Sequence, residues 1–113
     1  MTANRRAIIR QHGVRAGRLQ ELGQGGWRFS YVAGYGGPPV SLVLPVRGEP
    51  YEFPGFPPFL EGLLPEGPQL EAILRKHKID RNDCFGQLMA VGGDLVGSLT
   101  AEELPDMEGG DQA

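Results

Sequence analysis

Several kinds of residue are scarce in this chain of 113 residues, and each shortage excludes a class of protein. A single cysteine, Cys84, cannot form a disulfide within the chain, so a disulfide-stabilised scaffold is excluded. No apolar run approaches the roughly twenty residues that a membrane-spanning helix requires. The first residues do not combine basic charge with the apolar stretch of a secretory signal. We therefore expect a cytoplasmic protein that does not contact a membrane.

Positive charge is also scarce, since eleven Lys and Arg stand against fourteen Asp and Glu, for a net charge of −3. Nucleic-acid binding needs a basic surface, so a DNA-binding repressor is the least favoured alternative. The charges are separated along the chain: five arginines and no acid precede position 19, and five acids and no base follow position 100. We expect the arginines to be solvated on alternating sides of strands, and residues 101–113 to form an acidic flexible tail.

Side chains that carry catalysis or bind metals are few and far apart: His12, His77 and Cys84. Catalysis requires an acid–base pair or a nucleophile with a partner, and a metal site requires clustered ligands. We interpret His12 as a turn residue and His77 as a histidine at the edge of the core. Cys84 is interpreted as structural, although a helix start can lower a thiol pKa. The sequence therefore predicts no enzymatic activity, no cofactor and no metal.

The first half of the chain has the alternating pattern of β-strands. The clearest strand is Trp27–Ala33, in which apolar and polar residues alternate. It follows an earlier hairpin or meander that is broken at Gly13. A further strand is predicted at Val40–Leu44 and is ended by Pro45. Residues 48–58, rich in proline and aromatic residues, are interpreted as a connection.

The second half has the spacing of helices. A short helix is predicted from residue 57 to Leu64, because Pro65 ends it. A second helix begins near Pro68, and a third begins after Asn82 as its N-cap and ends at two glycines. A return strand is predicted at Leu95–Leu99.

Strands followed by helices and one last strand predict an α+β domain over residues 1–100. Its fold is a small antiparallel sheet, either open or closed into a barrel, with a C-terminal cluster of about three short helices and a final return strand.

Three segments of the second half carry a resemblance to a known family: residues 59–67 (FLEGLLPEG), 83–88 (DCFGQL) and 91–99 (VGGDLVGSL). Their pattern is an aromatic residue, two leucines, Pro-acid-Gly, a Phe-x-x-Leu helix, a glycine turn and a strand containing Gly-Ser. It resembles the N-terminal subdomain 1 of the HipA family of bacterial serine/threonine toxin kinases. The resemblance extends over residues 8–100, which is nearly the whole predicted domain.

In HipA kinases this subdomain precedes a larger kinase domain. A stand-alone version is similar to HipS, the small antitoxin of the tripartite HipBST toxin–antitoxin systems, which binds the kinase HipT in trans. The resemblance therefore implies a HipS-like antitoxin that inhibits a HipT-like serine/threonine kinase. A HipB-like helix-turn-helix protein would belong to the same complex, so this chain would not bind nucleic acid directly. The alternative is a split or excised N-terminal subdomain that supports a HipA-type kinase structurally without inhibiting it.

The candidate partner-binding site surrounds a projecting turn at residues 65–68. Apolar side chains near this turn exceed what one short helix must bury, and glutamates border them, as is typical of a protein interface. The turn is rigid, so it would lose little entropy on entering a cleft. The alternative is that Leu63 and Leu64 close one end of the sheet. The candidate partner-binding residues are Phe59, Leu63, Leu64, Pro65, Glu66, Gly67 and Pro68.

Overall fold

The computed structural model describes residues 5–93, 95 and 98–104. Its strands are β1 (Arg6–Gln11), β2 (Val14–Glu21), β3 (Trp27–Tyr31), β4 (Tyr51–Phe53) and β5 (Leu99–Glu103), and its helices are α1 (Pro58–Glu61), α2 (Gly67–His77) and α3 (Cys84–Val91). All strand pairs are antiparallel, in the order β4-β3-β2-β1-β5. The α+β class and the antiparallel sheet are confirmed, and the sheet is open rather than closed into a barrel.

The core lies between one face of the sheet and the helices. Alternation along β3 directs Trp27, Phe29 and Tyr31 to this face, and each is less than a tenth exposed. The helices contribute Leu60, Phe85 and Leu88 to the same cluster. In β2, a Cβ on Gly17 would overlap the ring of Phe29, so this close approach depends on the missing side chain.

The strand predicted at Val40–Leu44 is wrong. Within this segment Leu44 is buried, whereas Leu42 is 98% exposed. The segment is held as a loop by the Tyr31 hydroxyl, which donates to the Leu44 carbonyl at 2.5 Å and accepts from the Val40 N–H at 3.0 Å. Prolines before and after it remove N–H donors that a sheet would need. The edge beside β3 is occupied instead by β4, within the stretch interpreted as a connection.

The return strand predicted at Leu95–Leu99 is also wrong in position: β5 occupies Leu99–Glu103, Leu95 and Ser98 precede it, and residues 96–97 lie outside the described residues. Residue 92 explains the later start: a Cβ on Gly92 would overlap the Ala101 carbonyl oxygen, and the Ala101 N–H donates to the Gly92 carbonyl at 2.9 Å. This contact fixes Ala101 beside the end of α3. Residues 101–103, expected in the tail, are therefore part of the sheet. Residues 105–113 lie outside the described residues, and the acidic tail remains a prediction there.

The N-cap of α3 is Asp83 and not Asn82, a shift of one residue. The Asp83 carboxylate accepts from the Gly86 N–H at 3.0 Å. The Asn82 N–H donates to the side chain of Asp80 at 2.8 Å, in a turn before the helix. An aspartate satisfies the free N–H groups of the first turn as well as asparagine does, so the sequence pattern did not distinguish the two positions.

One arginine joins the sheet to α3. The Arg5 guanidinium donates to both carboxylate oxygens of Glu21 at 3.1 Å and to Asp83 at 2.9 Å. Its central carbon lies 4.9 Å from the centre of the Phe85 ring. The side-chain hydrogen bonds from Arg5 hold the pKa of Glu21 below its usual value, despite the opposing effect of burial. The charged form of Glu21 is therefore stabilised by folding.

We expect Glu21→Gln to remove part of the acid sensitivity of the fold. Because the folded pKa of Glu21 is depressed, its contribution is present above the unfolded pKa of about 4.3 and is lost as pH falls through the folded pKa. Thermal melts between about pH 3 and pH 7 should show a lower Tm for Glu21→Gln at neutral pH and a smaller loss on acidification. The exposed Glu66→Gln is the control. Equal pH dependence of Glu21→Gln and wild type would contradict the assignment.

Candidate functional site

The candidate site begins with the short helix α1. Pro57 is extended and Pro58 opens the helix, a position where the missing N–H of proline costs nothing. The helix ends at Gly62 after only four residues. Leu60 is fully buried and anchors α1 on the core. The chain then turns through hydrogen bonds from the Leu63 and Leu64 N–H groups to carbonyls of α1.

The apolar candidates of this region differ in exposure. The ring of Phe59 is half-buried and packs edge-to-face on Phe29, with ring centres 5.4 Å apart. Leu64 is 8% exposed and belongs to the core cluster. Leu63 is half-buried at the margin of that cluster. Phe59 and Leu64 therefore support the fold, and Leu63 keeps surface available for a contact.

The turn that follows is an exposed corner of fixed shape. Glu66 is extended, and its carboxylate makes no capping bond to α2. Gly67 has a φ of +62°, a left-handed conformation that favours glycine. Pro68 fixes the first turn of α2. Glu66, Gly67 and Pro68 are all exposed, so the corner presents one carboxylate on a backbone with little freedom to lose.

A groove of about 780 Å³ lies beside this corner. It is bounded by the α1–α2 turn, by one face of α2, by the end of α3 and by Leu95. The eleven residues of α2 include none that is buried, although Leu70, Ile73 and Leu74 form an apolar stripe. The helix packs against α3, and its apolar stripe is only half-buried. The groove is lined by Gly62, Leu63, Leu64, Pro65, Glu66, Gln69, Ala72, Ile73, Val91 and Leu95.

The structure brings together four of the seven candidate residues, Leu63, Leu64, Pro65 and Glu66, as lining of the groove. Gly67 and Pro68 stand beside it, and Phe59 does not line it. The groove also includes residues that sequence reasoning missed. The apolar stripe of α2 was visible in the sequence, but nothing there showed that Ile73 would remain half-exposed. Val91 could not be placed beside the turn from the sequence, because it comes from a different helix.

The lining of the groove carries one charged side chain, Glu66, which is exposed. A partner that binds here would meet an apolar floor with a carboxylate at its rim, an arrangement that suits a surface with basic side chains.

The reactive side chains found in the sequence do not form a catalytic group. Burial, with a smaller effect from the charges of Glu61 and Asp83, raises the pKa of the Cys84 thiol, so it is a weaker nucleophile than a free cysteine. His12 lies in the β1–β2 hairpin turn with a φ of +52°, as the turn prediction required. His77 is exposed at the end of α2, so its expected place at the edge of the core is wrong.

Within residues 5–93, 95 and 98–104, no group of three or more His, Cys, Asp or Glu side chains could hold a metal ion. In the same residues, no helix has the length and apolar character needed to cross a membrane.

Comparisons with known proteins identify a family, a relative and a solved structure to which this chain is similar. Residues 7–102 match the family described as HipA N-terminal domain. An uncharacterized protein of Haemophilus influenzae is 31% identical over 78 residues, which cover 69% of this chain and 74% of that protein. Among solved structures, the N-terminal domain of HipA toxin matches with a TM-score of 0.71 and 26% identity, covering 91% of this chain and 95% of that one. The matched residues include the α1–α2 turn, α2 and the end of α3, which bound the groove.

Proposed function

Because the chain belongs to the HipA N-terminal domain family, we propose that it is a HipS-like antitoxin that binds a HipT-like serine/threonine kinase in trans and inhibits it. In this proposal the chain has no enzymatic activity of its own and works in the cytoplasm. A HipB-like DNA-binding protein is a further member of the same complex.

The observation that carries the proposal is the apolar groove beside the corner at residues 66–68. A helix of a small domain normally buries its apolar stripe against the core. Here α2 has no buried residue, and its side chain Ile73 faces the groove together with Leu63. Apolar surface that remains partly exposed in a groove is typical of a protein-binding site. A module that binds a separate kinase domain is expected to retain such a surface.

The corner adds specificity to this contact. Its backbone is fixed by the left-handed Gly67 and by Pro68, so binding costs little ordering of the loop. The carboxylate of Glu66 stands at the rim of the groove, where it can pair with a basic residue of the kinase. We propose that Leu63 and Ile73 supply most of the affinity and that Glu66 selects the partner.

The experiment pairs the purified chain with the HipT-like kinase encoded beside it. Calorimetry measures binding, kinase autophosphorylation measures inhibition, and growth after kinase induction measures rescue. The proposal requires binding together with inhibition and rescue. Binding without any inhibition would support the alternative, a subdomain that assists a kinase structurally. No binding at all would contradict both.

We expect Leu63→Ala to weaken kinase binding by about thirtyfold, the equivalent of about 2 kcal/mol for an interface anchor. Glu66→Arg should also weaken binding, because it places like charge against the basic surface expected on the kinase. The matched controls are Leu42→Ala, which truncates a leucine that is 98% exposed on another loop, and Glu49→Arg, at an exposed glutamate away from the groove.

Folding must be separated from contact in this series. Circular dichroism melts should place the Tm of Glu66→Arg close to that of wild type, because Glu66 is exposed and its side chain caps nothing. If Leu63→Ala and Glu66→Arg both fold normally and still inhibit the kinase as well as the controls, the groove is not the contact surface.

A further inference from the structure

The loop that joins β3 to β4, residues 32–50, projects an apolar turn into solvent. The Leu44 N–H donates to the Ser41 carbonyl at 3.1 Å and closes a turn whose central residues are Leu42 and Val43. Central positions of such turns are usually taken by glycine, proline or small polar residues. Here Leu42 is 98% exposed and Val43 is 76% exposed. These two side chains are called the loop tip below.

Hydrogen bonds from neighbouring strands fix the loop on both sides of the loop tip. The Tyr31 hydroxyl binds backbone groups before and after it. The Tyr51 hydroxyl donates to the Pro45 carbonyl at 2.6 Å, and the Gln11 side chain of β1 donates to the Pro38 carbonyl at 2.9 Å. A loop of fixed shape loses little entropy on binding, so the loop tip is preorganised for a contact.

Charge is absent from the loop tip and its surroundings in the sequence. No charged residue lies between Arg28 and Arg47. The Arg47 guanidinium donates to the backbone carbonyls of Glu49 at 3.1 Å and Pro50 at 3.0 Å. Its central carbon lies 3.7 Å from the centre of the Tyr51 ring. These contacts orient the guanidinium without neutralising it, so the loop presents an apolar tip followed by one positive charge.

The groove beside α2 has the complementary features. Glu66 is the one charged side chain of its lining, and Leu63 and Ile73 belong to its apolar part. Its volume of about 780 Å³ lies in the range of about 300–1,000 Å³ typical of sites that enclose a ligand, so it has room for the two aliphatic side chains of the loop tip. Because Leu42 is 98% exposed, the loop tip does not fill the groove of its own chain.

We propose that the loop tip of one copy of this chain inserts into the groove of a second copy, which brings Arg47 of the first toward Glu66 of the second. One chain carries both an apolar projection beside a positive charge and an apolar groove beside a negative charge. The two surfaces differ, so the contact is head-to-tail. It buries few side chains and falls below the roughly 1,200 Å² of a stable interface, so it forms at high protein concentration.

A lipid surface is the other partner that an exposed apolar turn could meet. Segments that lie on membranes combine apolar side chains with several Lys or Arg residues, which attract anionic lipids. This loop has one arginine, and Glu49 follows it two residues later. The net charge of −3 further opposes an anionic surface. A second copy of the chain is therefore the favoured occupant.

Sedimentation equilibrium of the full chain between about 10 µM and 1 mM measures self-association. We expect the mean mass of the wild type to rise above that of the monomer across this range. Leu42→Asp places a carboxylate against Glu66, and Glu66→Arg opposes Arg47, so each should weaken self-association by at least about tenfold. Both positions are exposed, and circular dichroism melts should show normal folding. The matched control is Val14→Asp, at a side chain that is 58% exposed on β2, which should self-associate like wild type.

Mixing the two variants tests whether the contact is head-to-tail. Leu42→Asp retains an intact groove and Glu66→Arg retains an intact loop tip, so the mixture has one functional contact and should associate more strongly than either variant alone. Amide NMR signals of the wild type should shift with concentration both at Leu42 and at Ile73. The proposal is overturned by shifts confined to the loop tip, by a mixture that associates no better than its components, or by a wild type that is still monomeric at about 1 mM.

Vesicles of phosphatidylcholine and phosphatidylserine decide between a second copy and a membrane. Neither wild type nor Leu42→Asp should co-sediment with them, and co-sedimentation of wild type alone would contradict the proposal. One consequence rests on the proposed function: a second copy and the kinase compete for the groove, so Leu42→Ala, which truncates the loop tip, does not weaken kinase binding. Sedimentation of the chain needs no kinase, so failure of self-association and failure of the proposed function are distinguishable.

Discussion

Phe85→Ala is expected to lower the free energy of unfolding by about 3–5 kcal/mol, as for other buried aromatic residues. The Phe85 ring is 2% exposed and stacks on Trp27 with ring centres 5.5 Å apart. Arg5 lies on it at 4.9 Å and connects it to the salt-bridged carboxylates of Glu21 and Asp83. Removing the ring leaves a cavity and also removes the surface on which the arginine rests. Urea unfolding, followed by the fluorescence of the single tryptophan, measures the loss.

The matched control for this substitution is Val43→Ala. Val43 is 76% exposed on the loop before Leu44, so its truncation should change the free energy of unfolding by less than about 0.5 kcal/mol. A loss below about 1 kcal/mol for Phe85→Ala would show that the cluster of Phe85, Trp27 and Arg5 does not hold α3 on the sheet.

Deleting residues 101–113 is expected to destabilise the domain by at least about 3 kcal/mol, whereas deleting residues 105–113 should leave its stability nearly unchanged. The longer deletion removes the pairing of Ala101, Glu102 and Glu103 with β1 and the hydrogen bonds of the Ala101 and Leu104 N–H groups. Each backbone hydrogen bond contributes about 1 kcal/mol. The deletion also uncovers Ile9, a fully buried residue of the core.

The two deletions together locate the end of the domain. Thermal and urea unfolding of both proteins, compared with the full chain, give the stabilities. Composition alone makes both look harmless, because the acidic stretch after residue 100 has few apolar side chains. If the shorter and the longer deletion are equally stable, the pairing of β5 with β1 does not contribute to the fold.

The elements that could be predicted from the sequence are those whose local residue pattern is enough to specify a strand or a helix. Apolar and polar residues alternate from Trp27 to Tyr31, and strand β3 follows that alternation. Prolines near residues 57 and 68 mark the starts of α1 and α2, because their fixed φ is already helical. The pattern of Pro-acid-Gly and a Phe-x-x-Leu helix pointed to the family that the comparison confirmed.

The errors came where long-range contacts, and not local pattern, chose the structure. Val40–Leu44 has good strand residues, but the Tyr31 hydroxyl binds its backbone and β4 takes the sheet edge. The last strand started later than its residues indicated, because Gly92 packs under Ala101. A local pattern contains no information on which distant group will compete for a backbone N–H or carbonyl.

In the candidate site, too, some features follow from the local sequence and others from contacts between distant residues. The sequence by itself determined the turn at residues 65–68, because proline and glycine restrict or release φ whatever surrounds them. It also determined the apolar stripe of α2, including Ile73. Only the tertiary structure decided that Ile73 of this stripe remains half-buried in a groove beside Val91, and that Arg6, Arg10, Arg18 and Arg28 share one side of the sheet. Strand register and helix docking decide which side chains are exposed and which lie on the same side of the sheet. Both are set by contacts between residues far apart in the chain.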